Sequence, residues 1–111
     1  MTTEAIDRQV FAELQANVGS DFAAELVDTF ATEAPQLLAE LRAAQAAGSA
    51  EPFRRAAHAL KSNGNAFGAM RFAEAARALE LGGLDAAGSG LDTLTQEFEH
   101  ALAELKVLCH A

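Results

Sequence analysis

Phe53-Arg54-Arg55-Ala56-Ala57-His58-Ala59-Leu60-Lys61-Ser62-Asn63-Gly64-Asn65-Ala66-Phe67-Gly68 reads as one amphipathic helix. At about 100° per residue, Phe53, Ala56, Ala57, Leu60, Gly64 and Phe67 fall in a sector roughly 100° wide. His58 lies about 180° from that sector, and Arg54, Arg55, Lys61, Ser62 and Asn65 stand within roughly 60° of it. Histidines that serve packing do not usually face water. An imidazole among cations and hydrogen-bond donors is suited to holding an anion, and a nucleophile beside an anion site is what a phosphoryl carrier needs.

Outward from this stretch the chain reads as all helix. Alanine, leucine and glutamate dominate, only two prolines occur, and no segment alternates polar with apolar residues over a strand length. A short first helix is expected from Ile6 to about Asn17, with Ile6, Val10, Leu14 and Phe11 inward, closed by Gly19-Ser20. Ser20 or Asp21 can cap a long second helix in which Phe22, Leu26, Phe30, Leu37, Leu38 and Leu41 recur at helical intervals as far as Gly48. Pro35 lies within it, which predicts a kink near Thr32 to Ala34 rather than two separate helices. Ser49 is placed to cap the third helix, where Pro52 is tolerated because a first-turn amide has no intrahelical acceptor. A fourth helix is expected from Ala69 or Met70 to Leu81, with Phe72, Ala75, Ala76 and Leu79 inward and Gly82-Gly83 as its stop. Leu84 to Gly90 reads as a loop. From Leu91, a fifth helix presents Leu94, Phe98, Ala101, Leu102, Leu105 and Leu108, and its other face is acidic. Short connections between long helices make antiparallel neighbours. The predicted fold is therefore an up-and-down antiparallel four-helix bundle with an additional short N-terminal helix, one domain over residues 1–111.

Composition narrows the function. A chain of 111 residues, half of them hydrophobic, supports one modest core. The formal charge of −8 disfavours nucleic acid and anionic lipid as partners. Arg54, Arg55, Lys61, Arg71 and Arg77 nevertheless cluster between positions 54 and 77 with His58, which predicts a local positive potential on an acidic body. No run approaches the roughly 20 apolar residues that cross a bilayer, and Met1 to Ala5 lack the character of a secretory signal, so a cytoplasmic protein is expected. The single cysteine, Cys109, has no intramolecular disulfide partner and is expected to pack near the C-terminus. His100 among Glu97, Glu99 and Glu104 lacks a spaced second histidine, His110 stands one residue from the end, and no metal site is expected. Gly82-Gly83 and Gly88-Ser89-Gly90 lack the lysine and preceding strand of a phosphate loop, and no serine, histidine and carboxylate set has hydrolase order.

Phosphohistidine chemistry requires a neutral imidazole nitrogen open to roughly in-line attack on phosphorus. An unperturbed imidazole, with a pKa of about 6.5, supplies that neutral fraction near pH 7. Lys61, one turn on, can reach a phosphoryl oxygen, Ser62 can donate a hydroxyl, and Asn65 lies a further turn along. Each residue also has a plainer reading. His58 can be a spectator on a wet face, Lys61, Arg54 and Arg55 can be solubilising charges, and Gly68 can be an ordinary helix C-cap.

The segment Ala57-His58-Ala59-Leu60-Lys61-Ser62, followed by Gly68 and then Leu79-Glu80, resembles the signature of histidine phosphotransfer (HPt) domains. The likeness is strong from Phe53 to Leu81. It extends loosely over the chain through Glu25-Leu26-Val27-Asp28-Thr29-Phe30 and Ala34-Pro35-Gln36-Leu37-Leu38. The resemblance implies that His58 accepts a phosphoryl group at Nε2 from the aspartyl phosphate of a response-regulator receiver domain and passes it to another receiver. It further implies that Lys61 is the family's lysine and that Gly68 is the glycine whose missing side chain keeps the histidine accessible. Glu80 matches an acidic position that can hydrogen-bond the imidazole in the phosphotransfer domains of chemotaxis kinases. Ser62 departs from the family's usual glycine and adds bulk beside the ring. The expected protein is a monomeric phosphorelay intermediate with no cofactor and no kinase activity of its own, working with receiver domains and a hybrid sensor kinase. Two other readings stand beside it: a helical adaptor with an idle histidine, and the phosphorylatable fragment of a larger kinase.

Overall fold

The computed structural model describes residues 5–109 as α1 (Arg8–Val18), α2 (Ser20–Ala47), α3 (Ala50–Phe67), α4 (Met70–Gly82), a 3₁₀ turn (Gly83–Ala86) and α5 (Ala87–Cys109). Residues 1–4 and 110–111, His110 among them, lie outside the described residues. Each of α2 to α5 packs on its two neighbours, α2 on α3, α3 on α4, α4 on α5 and α5 back on α2, which closes the four-helix bundle. The added helix α1 lies against α2 and α3.

Local chemistry accounts for the elements. Asp7, not anticipated as a cap, opens α1 by accepting from the backbone N–H groups of Gln9 and Val10. Ile6 is fully buried but precedes the helix, and within α1 it is Phe11 that reaches the core, with Val10 and Leu14 half-buried. α2 is one continuous helix through Pro35. Its buried stripe is Ala23, Val27, Phe30, Ala34, Leu38, Leu41 and Ala44, and Phe22 is 50% exposed rather than inward. The neighbouring Ala23 takes the inward position and is fully buried. Ser49 holds the N-cap position of α3 without a side-chain hydrogen bond. In α3 the buried residues are Phe53, Ala56, Ala57, Leu60, Gly64 and Phe67, the apolar sector read from the sequence.

The segment read as a loop is instead a 3₁₀ turn followed by the first turn of α5. Burial of Ala87 and Leu91, with Leu84 and Ala86 packed at the core's margin, outweighs the local helical cost of Gly88 and Gly90. The core centres on four phenylalanines, one from each bundle helix. Phe30 of α2 has ring centroids 5.2, 5.6 and 5.3 Å from Phe67 of α3, Phe72 of α4 and Phe98 of α5.

Two glycines fix how α3 meets its surroundings. A Cβ at Gly64 would stand 2.9 Å from Phe72 and 3.1 Å from the Ala73 Cβ, so this position lets α4 approach closely. Gly68 ends α3 with φ of 80°, and a Cβ there would stand 2.7 Å from the Asp7 carbonyl oxygen and 2.9 Å from Val10. The Gly68 carbonyl also accepts from the Asp7 N–H at 2.7 Å. Gly68→Ala is therefore expected to destabilise the protein by about 2 kcal/mol in urea unfolding, combining the left-handed backbone penalty with displacement of the α1 entry. A change below about 0.5 kcal/mol, the scale of an ordinary surface substitution, would contradict this role.

Candidate functional site

His58 projects from the middle of α3 with its side chain 55% exposed. A second element, α4, contributes the ring's hydrogen-bond partner. Close packing of α3 on α4, allowed by Gly64, brings Glu80 near the end of α4 beside the imidazole, with its side chain only 13% exposed. One carboxylate oxygen, Oε2, lies 2.7 Å from His58 Nδ1, and the other, Oε1, lies 2.8 Å from Lys61 Nζ. The carboxylate thus bridges the two residues across one turn of α3. The Lys61 hydrogen bond, followed by that of His58, holds the Glu80 carboxyl below the usual carboxylate range, against a smaller opposing effect of burial.

This geometry sets the tautomer. An ionised carboxylate only accepts hydrogen bonds, so Nδ1 donates to Glu80 and, in the neutral ring, Nε2 keeps the lone pair. Nε2 is then the nitrogen available to an incoming electrophile. Lys61, read from the sequence as able to reach a phosphoryl oxygen, is 26% exposed and paired with Glu80.

Of the remaining candidates, some lie where the sequence reading puts them and others do not. Ser62 and Asn65 are exposed on the His58 side of α3. Arg54 turns back to Glu51 on its own helix, with contacts of 2.6 and 3.3 Å. That pairing lowers the Glu51 carboxyl from its ordinary value. Arg55 lines a surface groove with Leu37, Glu40, Pro52 and Ala56, on the α2 side of the helix. Gly68 lies ten residues beyond His58, about 15 Å along the helix axis. The space left by its missing side chain faces Asp7 and Val10 and not the imidazole, which corrects the expectation that it keeps the histidine accessible. The anticipated positive patch is also largely compensated. Lys61 is paired with Glu80, Arg54 with Glu51, Arg77 with Glu74, and Arg71 with Glu97 of α5. The double hold of Glu80 on α3 could not be read from spacing, because His58 and Glu80 are 22 residues apart and meet only through helix packing.

Elsewhere, His100 is 3.7 Å from Glu97 on α5, and no group of three or more metal-ligating side chains occurs among the described residues. Cys109 is half-buried against the core, and burial pushes its thiol upward. No helix of the described residues is long and apolar enough to cross a membrane.

Comparison with known proteins agrees with the architecture and the sequence pattern. Residues 25–106 match the Hpt domain family. The phosphorelay protein LuxU of Vibrio harveyi is 34% identical over 80 residues, covering 72% of this chain and 70% of that protein. The crystal structure of histidine-containing phosphotransfer protein B (HptB) from Pseudomonas aeruginosa PAO1 superposes with a TM-score of 0.88 at 26% identity, covering 98% of this chain and 97% of the other. The family consists of phosphotransfer carriers that work with receiver domains and kinases. With a closed four-helix bundle, an outward-facing histidine on its third helix and this breadth of match, the chain belongs to the Hpt domain family, the histidine phosphotransfer proteins of phosphorelays.

Proposed function

We propose that His58 is the phosphorylated residue, taking a phosphoryl group at Nε2 from the aspartyl phosphate of a response-regulator receiver domain and delivering it to a second receiver. The observation that carries this reading is the exposed imidazole whose Nδ1 is occupied by Glu80, leaving Nε2 as the nucleophile. In-line attack then requires only that a receiver present its aspartyl phosphate to the open side of the ring. The receiver brings its own acidic pocket and metal ion, and this protein contributes orientation and a nucleophile. It has no ATP-dependent kinase activity and needs no cofactor.

Lys61 contacts a phosphoryl oxygen as a compact cation, after exchanging its Glu80 oxygen for that of the phosphate. Ser62 and Asn65 border the approach to the ring, and Ser62 adds a hydroxyl where the family usually has glycine. The protein acts as a monomeric single domain in the cytoplasm, between receiver domains and a hybrid sensor kinase. Its net charge of −8 does not prevent docking, because charges beyond about 8 Å are screened at physiological salt.

The test is a phosphotransfer time course from purified phosphorylated receiver domains. Acid-labile label should move onto this protein from at least one receiver, whereas binding without label from any of them would favour the adaptor reading. Lys61→Ala is expected to slow uptake about 5- to 30-fold with an unchanged helical spectrum, as loss of one charge-assisted contact in the transition state. An unchanged rate would remove Lys61 from the mechanism.

A further inference from the structure

A protein whose formal charge is −8 has to accept an incoming domain at His58, and the charges bordering the ring decide how that approach begins. Most of the cations there are already committed. Arg54 would have to give up contacts of 2.6 and 3.3 Å with Glu51 before taking another carboxylate, Lys61 is held by Glu80 at 2.8 Å, and Arg77 is paired with Glu74. Arg55 is different. It is exposed, and among the described residues it is the one arginine that forms no ion pair. Lys106, the other cation without an ion pair among these residues, lies in the last turn of α5, a helix that packs on α2 and α4.

Arg55 stands one turn N-terminal to His58 and roughly 60° from it around α3, on the side toward which helical side chains lean. It borders a groove with Leu37, Glu40, Pro52 and Ala56 on the α2 flank of the ring, whereas Glu80 holds Nδ1 from the α4 flank. The two flanks therefore differ in what they offer. On the α4 side a carboxylate and an ammonium group lie against the imidazole. On the α2 side an open guanidinium borders the path by which a partner reaches it.

From this placement, and resting on the assignment of His58 as the phosphorylated residue, we propose that Arg55 is a docking residue whose guanidinium takes a carboxylate of the incoming receiver domain. A guanidinium meets a carboxylate with two parallel hydrogen bonds, which fix orientation as well as attraction. No internal pair has to break first, so the contact counts in full toward association. It forms at the rim of the site, where charge complementarity raises the association rate and salt weakens it. Arg54, one residue away and equally charged, supplies the comparison, because Glu51 has already cancelled its charge.

The test measures single-turnover uptake from a phosphorylated receiver domain that labels the wild type, across receiver concentration and at two ionic strengths, for Arg55→Gln, Arg55→Glu and Arg54→Gln. At low salt Arg55→Gln should raise the half-saturating receiver concentration about 3- to 10-fold with the maximal rate little changed, and Arg55→Glu should raise it further. Both gaps should close toward about 0.5 M salt, where the Debye length falls to a few ångströms. Arg54→Gln should shift half-saturation by less than about twofold, as for a surface ion pair. Phosphoramidate, a small donor that needs no docking, should label the wild type and Arg55→Gln at the same rate. Equal half-saturation for wild type and Arg55→Gln would overturn the proposal, as would equal effects at positions 54 and 55, a defect of the same size at both salt concentrations, or a charge reversal no worse than neutralisation. Slowed labelling of Arg55→Gln by phosphoramidate would also overturn it, by placing Arg55 on the phosphoryl group instead of the partner. Absence of phosphohistidine at position 58 in the wild type with either donor would overturn the assignment of His58, and this proposal with it.

Discussion

His58→Gln is expected to abolish uptake of acid-labile phosphate from a phosphorylated receiver, by at least about a thousandfold, the scale on which removal of a nucleophile acts. Glutamine retains a hydrogen-bonding side chain that can reach toward Glu80 but has no nitrogen lone pair for phosphorus. The imidazole is more than half exposed and fills no part of the core, so folding stability should change by only about 0.5 kcal/mol. Labelling and thermal unfolding measured on one preparation separate the two effects. Label retained on the variant would refute the site assignment, and loss of label together with loss of helix would show that the ring has a structural role this account denies it.

The second large effect is structural. Phe30→Ala should reduce unfolding free energy by about 3–5 kcal/mol, the range for deleting a buried phenylalanine. Phe30 is 3% exposed and touches one aromatic ring from each of the other three bundle helices. Its loss leaves a cavity shared by α3, α4 and α5 and removes three ring contacts, with Phe72 and Phe98 still meeting each other. Domains of this kind are stable by about 5–15 kcal/mol, so the variant should unfold at markedly lower urea concentration. The folded fraction should still take up phosphate, because the His58–Glu80 contact lies on the surface where α3 meets α4. A loss under about 1 kcal/mol in urea titration would mean that the four-ring cluster does not anchor the bundle.

The α3 faces were legible because they follow from one periodicity. Six apolar residues at helical spacing have one arrangement that buries them all, and it sends His58 outward. Periodicity was less informative in α2. A reading weighted toward large side chains selects Phe22, whereas packing selects Ala23 and leaves Phe22 half in solvent. The start of α5 was obscured by Gly88 and Gly90, whose local preference is overridden by the burial of Ala87 and Leu91. Gly68 illustrates a limit of motif transfer. The resemblance identifies the position, but the backbone angle and the Asp7 carbonyl explain why this chain needs glycine there. The Glu80 bridge depends on the register of α3 against α4. No spacing rule within either helix contains that register, and only the family likeness points toward Glu80. The cationic cluster around His58 was visible as a count of residues; the Glu51–Arg54 and Glu74–Arg77 pairs follow from i,i+3 spacing on one helix, whereas compensation by Glu80 and Glu97 emerged only from the packed helices.

Phosphorylation of His58 at Nε2 is checked by locating the phosphoryl group after incubation with a phosphorylated receiver, using fragmentation that preserves P–N bonds together with ³¹P and ¹⁵N NMR of the intact protein. A single phosphoramidate linkage at Nε2 of His58 is expected. A phosphoryl group on Nδ1, or on any other residue, would contradict it.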